Sequence, residues 1–133
     1  MFRVIQLLLL SFLFVCTRPA IAANAPVILV VGDSISAAFG MQPQQGWVNL
    51  LQQRLRKNGF PHQVVNASIS GDTTANGAYR FRSALEKHQP DWVILELGGN
   101  DGLRGLSLQQ MRTNLSQMID MAQQRKAQVL LLG

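Results

Sequence analysis

The sequence of this 133-residue chain predicts a three-layer α/β/α fold built around a parallel sheet. Two segments, Val27 to Val31 and Trp92 to Leu97, are mostly apolar runs followed directly by glycine. Such runs are typical of strands that are buried on both faces, as in parallel sheets. Segments with helical periodicity separate the strands, which gives the order βαβαβαβ with right-handed crossovers.

The first predicted strand leads into a loop and a helix. Residues 34–46 include Gly40 and Pro43 and are expected to form a loop or a short helix that can wall a pocket. The following residues have apolar side chains at helical spacing, and Gly59 is expected to end that helix. Its predicted inward face consists of Trp47, Val48, Leu51 and Leu55, together with Leu50.

The middle of the chain supplies a second strand and a second helix. Gln63 to Asn66 is the predicted strand. Thr73 or Thr74 can cap a helix that runs to about His88, with Ala78, Phe81 and Leu85 facing inward.

After the third strand, Ser107 starts another helix, and Val129 to Leu132 is the predicted fourth strand. The methionines of this helix are expected to fill the core rather than to bind a metal. Its apolar face consists of Leu108, Met111, Leu115, Met118, Ile119 and Ala122.

Met1 to about Ala22 has the features of a secretory signal peptide. Arg3 precedes an apolar run at residues 4–15, and small residues follow at the spacing of a cleavage site. The run has twelve residues, whereas a helix needs about 20 to cross ~30 Å of hydrocarbon. We therefore expect a cleaved signal at residues 1–22, one domain at residues 23–133 and no stable membrane anchor.

The predicted mature chain has a modest positive charge and no cysteine. Without Arg3 and Arg18, ten basic residues remain against seven acidic ones, so the net charge falls from +5 to +3. The basic residues are scattered over expected outer helix faces, which argues against a nucleic-acid partner. The single cysteine, Cys16, lies in the predicted signal, and no residues have metal-ligand spacing, so no metal or cofactor is expected.

Three glycine-containing loops follow the first three strands: Gly32-Asp33-Ser34, Ser70-Gly71-Asp72 and Gly98-Gly99-Asn100-Asp101. In a parallel sheet these loops share one edge, where ligands bind in open α/β sheets. If strand three pairs with the side of strand one that is opposite strand two, as in the order 2-1-3-4-5, a crevice opens between strands one and three. Ser34 and Asn100 would then face each other across it.

Ser34 is placed where a nucleophile is expected. A serine attacks an acyl carbonyl when a base takes its proton and hydrogen-bond donors hold the oxyanion that develops. The backbone N–H groups of Ser34 and Gly71 and the side-chain amide of Asn100 are neutral donors suited to this task. The alternative is that Gly-Asp-Ser is only turn and helix-cap chemistry.

The acidic residues near these loops have structural interpretations. Asp33 is expected to order the Ser34 turn, Asp72 to cap a helix and Asp101 to brace the Asn100 loop. Glu96 lies inside a strand pattern and is expected to pair with a basic neighbour.

The segments GDSIS, NASISGDTT and GGND resemble blocks one, two and three of the SGNH, or GDSL, hydrolase family. The resemblance runs from about Val27 to Gly133. It implies that Ser34 is the nucleophile and that the Ser34 N–H, the Gly71 N–H and the Asn100 amide form the oxyanion hole. It also implies a periplasmic hydrolase of thioesterase, lysophospholipase or arylesterase type, acting on acyl thioesters and esters.

One block of that family is absent, because the pattern Asp-x-x-His does not occur in the sequence. The two histidines are His62, before strand two, and His88, near the end of a helix, and neither is expected to reach Ser34. We therefore expect the catalytic Asp and His to lie beyond Gly133, and this chain to be a fragment with little activity by itself.

Ile35, Phe39 and Met41 follow the expected nucleophile and indicate an apolar acyl site, which favours lipid-like substrates. The enzyme is expected to be a monomer. Two alternatives stay open: a carbohydrate acetylesterase of the same fold, and an inert truncated homologue that acts only as a binding module. A flavodoxin-like nucleotide-binding domain is disfavoured, because no phosphate-loop motif is present.

Overall fold

A computed structural model describes residues 24–133 of the protein. The predicted signal peptide at residues 1–22 lies outside the described residues. Within residues 24–133, no helix has both the length and the apolar character needed to cross a membrane.

Four parallel strands form one sheet within the described residues. They are β1 (Val27–Gly32), β2 (Gln63–Asn66), β3 (Trp92–Glu96) and β4 (Gln128–Leu131), in the spatial order β2-β1-β3-β4. The predicted fold class is confirmed, as is the pairing of strand three with the far side of strand one. Ser34 therefore follows an inner strand, at the sheet edge where ligands bind in such folds.

Helices cover both faces of the sheet. They are α1 (Trp47–Lys57), α2 (Thr74–His88), α3 (Gly99–Leu103) and α4 (Leu108–Gln124), and a 3-10 turn at Pro43–Gln45 precedes α1. Two of the caps are side chains: the Thr73 side chain accepts a hydrogen bond from the Asn76 N–H, and the Ser107 side chain accepts one from the Gln110 N–H. Capping serine and threonine residues thus start α2 and α4, as the sequence predicts.

Alternation of side chains along the inner strands divides the core in two. On one face, Val30 and Ile94 pack with Val48 of α1. The opposite face packs against α2 and α4 and contains, among others, Leu29, Val31, Phe81, Leu85, Val93, Leu95 and Met118. Because both faces of β1 and β3 are covered, their residues are apolar in an almost unbroken run and do not alternate between apolar and polar.

Several details differ from the sequence prediction. Residues 98–101, expected to be a loop, contain the start of α3, because Gly98 has a φ of +124° and turns the chain into a helix at Gly99. Leu50 and Leu108, predicted to face inward, are 50% and 70% exposed. Leu50 points away from the sheet because adjacent helix positions lie about 100° apart, and Leu108 is the first residue of α4. The fourth strand begins one residue earlier than predicted, at Gln128.

Candidate active site

Ser34 lies in a tight turn directly after β1. The turn is closed by backbone hydrogen bonds from the Ala37 N–H to the Asp33 carbonyl at 2.9 Å and from the Phe39 N–H to the Ser34 carbonyl at 3.0 Å. Ser34 is half-buried. In the part of the chain that the structure describes, neither its hydroxyl nor its N–H has a hydrogen-bond partner. Both groups can therefore interact with a substrate.

Asp33 organises this turn, as the sequence predicts. It is only 3% exposed, and its Oδ1 accepts a hydrogen bond from the Ile35 N–H at 3.0 Å. Its other oxygen, Oδ2, accepts one from the Asn100 amide at 3.2 Å. A single buried carboxylate thus joins the Ser34 turn to α3.

Gly71 lies in the turn that follows β2. Its φ of +86° is a left-handed conformation that glycine adopts at low cost. The Gly71 carbonyl accepts a hydrogen bond from the Arg104 guanidinium at 3.0 Å. Among residues 24–133 the Gly71 N–H donates to no backbone or side-chain acceptor. It is the second N–H group at this edge of the sheet that is available to a substrate.

Asp72 does not cap a helix, which corrects the sequence prediction. Its Oδ2 lies 2.7 Å from the Arg80 Nε in a largely buried ion pair. Arg80 also donates to the Ala67 carbonyl at 2.6 Å, so it ties the turn that contains Gly71 to α2. The cap of α2 is the next residue, Thr73, whose hydroxyl is better placed at the first turn.

Asn100 brings the three predicted loops together. Its Nδ2 donates to the Asp33 Oδ2 at 3.2 Å and to the Asp72 carbonyl at 2.9 Å. The amide therefore lies between the residue that precedes Ser34 and the residue that follows Gly71. The predicted donor is present at the site, and both of its hydrogens already have acceptors there.

Asp101 is buried and braces the segment that contains Asn100, as the sequence predicts, by bonding it to the start of α2. Its Oδ2 accepts a hydrogen bond from the Thr74 N–H at 2.8 Å, and its Oδ1 accepts one from the Thr74 hydroxyl at 2.6 Å. Asn114 of α4 donates to the same hydroxyl at 3.0 Å. The carboxylate thus satisfies an otherwise free N–H at the start of α2 and fixes α3 beside it.

Glu96 also has a different partner from the predicted one. Its Oε2 accepts a hydrogen bond from the Ser36 hydroxyl at 2.7 Å, rather than from a basic side chain. Sequence reasoning missed Ser36, which belongs to the Ser34 turn and is completely buried. The only indication in the sequence was an acidic residue, Glu96, at the end of an otherwise apolar strand.

The two histidines lie far from the Ser34 edge, as the sequence predicts. His62 directly precedes β2, and His88 is the last residue of α2, which begins at the carboxyl edge of the sheet and ends at the amino edge. The His62 ring contacts Phe60 edge to face, with centroids 6.1 Å apart. Within residues 24–133, no histidine is placed to act as a base for Ser34.

An open, mainly apolar cavity of about 940 Å³ lies beside the Ser34 turn. Ile35 lines this cavity, and Trp47, predicted to be a core residue, does so too. Phe39 and Met41, the other predicted substrate contacts, are 75% and 52% exposed on the loop before α1. The remaining lining residues include Glu96, Leu97, Met111, Leu115, Leu131 and Leu132.

Comparison with known proteins shows that this chain is similar to bacterial proteins named esterase and thioesterase. The chain is 54% identical over 111 residues to the esterase TesA of Pseudomonas aeruginosa PAO1, a match that covers 84% of this chain and 55% of that protein. It is 42% identical over 123 residues to the thioesterase 1/protease 1/lysophospholipase L1 of Escherichia coli K12, covering 92% and 58% of the two chains. A crystal structure of TesA matches with a TM-score of 0.80 at 54% identity, covering 80% of this chain and 59% of the other.

The chain thus spans somewhat more than half the length of these relatives. Residues 30–133, most of the chain, match the model of the GDSL-like Lipase/Acylhydrolase family. On this evidence, the chain belongs to the GDSL-like lipase/acylhydrolase family.

Proposed function

We propose that the full-length protein is a serine hydrolase that cleaves acyl esters and thioesters through an acyl enzyme at Ser34. One observation carries the proposal: the Ser34 hydroxyl and the N–H groups of Ser34 and Gly71 lie at one edge of the sheet with the Asn100 amide, and within residues 24–133 none of the first three groups has a hydrogen-bond partner. Relatives named esterase and thioesterase support this class of reaction.

The proposed reaction begins when the Ser34 Oγ attacks the substrate carbonyl carbon while a base accepts its proton. The carbonyl opens to a tetrahedral intermediate, whose negative oxygen accepts hydrogen bonds from the Ser34 and Gly71 N–H groups. The bond to the alcohol or thiol then breaks, and the base returns the proton to that leaving group. Water repeats these steps on the acyl-serine and releases the carboxylic acid.

Asn100 is the third proposed donor, with Asp33 and Asp101 as supporting residues. Of the two Asn100 hydrogen bonds, the one to Asp33 at 3.2 Å is longer than the one to the Asp72 carbonyl at 2.9 Å. We expect the longer bond to be shared with the oxyanion, because it is the weaker of the two. Asp33 would orient the amide before substrate binds, and Asp101 would hold α3 in place.

We place the proposed base and its acidic partner outside these 133 residues. They would lie in the part of the full-length protein that is equivalent to the part of each relative outside the match. This chain covers 55% of TesA and 58% of the thioesterase 1 protein. The proposal is supported by the position of His62 and His88 at the opposite edge of the sheet.

The proposed substrates have lipid-like acyl chains. Ile35 is 66% exposed and lines the apolar cavity beside Ser34, and Phe39 and Met41 are also exposed. Apolar side chains next to the nucleophile favour a hydrocarbon chain over a sugar, whose hydroxyl groups need polar partners. We further propose a monomer that reaches the periplasm after removal of residues 1–22.

The test is to treat the full-length protein with a fluorophosphonate and to map the adduct by mass spectrometry. We expect labelling at Ser34, and we expect Ser34→Ala to lower kcat on a p-nitrophenyl ester by more than about 10³-fold without loss of folding. Ser83→Ala is the matched control, because Ser83 is exposed on α2 away from the sheet edge. Esterase activity that survives in Ser34→Ala would exclude Ser34 as the nucleophile.

A further inference from the structure

The buried side chain of Ser36 fills the space over Gly32, directly behind the nucleophile turn. Gly32 and Glu96 are paired residues of β1 and β3, and both belong to the sheet face that α1 covers. A Cβ atom at Gly32 would lie 2.6 Å from the Ser36 Oγ and 2.9 Å from the Glu96 Oε2. The absence of a side chain at Gly32 therefore allows Ser36 to reach Glu96.

Three separate elements hold Ser36. Its hydroxyl donates to the Glu96 Oε2 of β3 at 2.7 Å and accepts from the Trp47 Nε1 of α1 at 3.2 Å. Its carbonyl accepts from the Asn66 Nδ2, at the end of β2, at 2.8 Å. Ser36 has no solvent exposure, and its hydroxyl is engaged both as a donor and as an acceptor.

The nucleophile two residues earlier has no such anchor. In residues 24–133 no side chain holds the Ser34 hydroxyl, so its position depends on the backbone of the turn. That turn is held by Asp33, which directly precedes Ser34, and by Ser36, which lies two residues after it. A shift of about 1 Å in a reacting atom can cost on the order of 100-fold in rate.

We propose that Glu96 is a positioning residue for the nucleophile, acting through the Ser36 hydroxyl. The inference rests on the proposed hydrolase function and adds a role that the reaction steps themselves do not require. Glu96 holds Ser36 over Gly32, and Ser36 in turn holds the turn that carries Ser34. Ser36 has no solvent exposure, and Glu96 exerts this role through its hydrogen bond to Ser36, separately from its place in the lining of the apolar cavity.

The experiment compares Glu96→Leu, Glu96→Gln, Ser36→Ala and the double variant Glu96→Leu/Ser36→Ala in the full-length protein. The readouts are kcat and KM on a short-chain p-nitrophenyl ester, the rate constant for fluorophosphonate labelling of Ser34, and the melting temperature. The matched control is Glu86→Leu, because Glu86 is exposed and pairs only with Arg125 at the surface.

We expect Glu96→Leu and Ser36→Ala each to lower kcat and the labelling rate constant by about 10- to 100-fold, with KM unchanged. Glu96→Gln should retain most of the activity, because its amide oxygen can still accept from Ser36. The double variant should lose no more activity than the less active single variant, because both changes break the same Ser36–Glu96 hydrogen bond. Glu86→Leu should match the wild type.

Wild-type rates in Glu96→Leu and Ser36→Ala would overturn the proposal while leaving the hydrolase function intact. The proposal would also be overturned if the loss of activity disappeared once rates were divided by the concentration of titrated active sites. Glu96 and Ser36 would then affect folding alone. If Glu96→Leu does not fold, Ser36→Ala against Glu96→Gln decides the question by the same criteria. Full activity in Ser34→Ala would instead remove the proposed function itself.

Discussion

At the scale of single residues, the surroundings of Gly32 explain why a glycine precedes the Ser34 turn. Its φ is not positive, so its backbone conformation is open to other residues. The constraint is space, because the Ser36 Oγ and Cβ lie 2.6 and 2.8 Å from the place where a Cβ would be. Ser36 has its hydroxyl engaged by Glu96 and Trp47, so it cannot move aside without breaking those bonds.

Gly32→Ala is therefore expected to lower the free energy of unfolding by about 1–3 kcal/mol, the usual cost of overpacking a buried site. It should also slow fluorophosphonate labelling of Ser34, because the turn must shift. Urea denaturation and labelling rates measure the two effects.

The control for that change is Gly102→Ala. Among the described residues, a Cβ at Gly102 would meet no atom within 4 Å, and Gly102 lies inside α3. Alanine is there expected to be neutral or to stabilise, because it has the higher helix propensity. Equal destabilisation by both changes would show that space over Gly32 is not the reason for that glycine.

At the scale of elements, α3 and the first turn of α2 depend on each other. α3 has only five residues, and such a short helix is not stable by itself. Asp101 anchors it by accepting two hydrogen bonds from Thr74, and Asn114 joins α4 to the same hydroxyl. Because Asn100 precedes Asp101, this buried network also sets the position of the proposed oxyanion donor.

Asp101→Asn is expected to lower the free energy of unfolding by about 1–3 kcal/mol. An asparagine has one acceptor oxygen where Asp101 has two, so a buried Thr74 donor loses its partner. Thermal or urea unfolding checks this value. The same substitution at exposed Asp120 of α4 should change stability by less than about 0.5 kcal/mol. Similar losses at both positions would mean that the buried network contributes little.

At the scale of the whole molecule, the proposed site lies at the carboxyl edge of the sheet. There the described residues supply hydrogen-bond donors and the Ser34 hydroxyl but no histidine. β4 is an edge strand whose Leu130 and Leu131 are about half exposed. An uncovered, apolar edge strand tends to pair with other chains.

The 133-residue chain by itself is therefore expected to react with a fluorophosphonate much more slowly than the full-length protein, and to self-associate at high concentration. Labelling kinetics and size-exclusion chromatography measure the two behaviours. Labelling at the full-length rate would point to a base within residues 24–133, among the carboxylates near Ser34.

Much of this organisation is determined by the sequence itself. Unbroken apolar runs predict strands that are buried on both faces, and threonine and serine caps predict where α2 and α4 begin, because these signals depend on neighbours within a few residues. The parallel order of strands then places Ser34, Gly71 and Asn100 at one edge, since every strand ends there. The placement of these residues follows from topology, while their catalytic roles stay proposals.

Only the tertiary structure decided which side chains bond to one another. Glu96 accepts from Ser36 across 60 residues of sequence, and Asp101 accepts from Thr74 across 27, so neither pair has a spacing that a sequence could reveal. Asp72 bonds to Arg80 rather than capping its helix, because the guanidinium folds back over the turn to reach Ala67 as well. Such choices depend on strand register and on helix orientation to within about an ångström, since hydrogen bonds weaken steeply outside their narrow range of distance and angle.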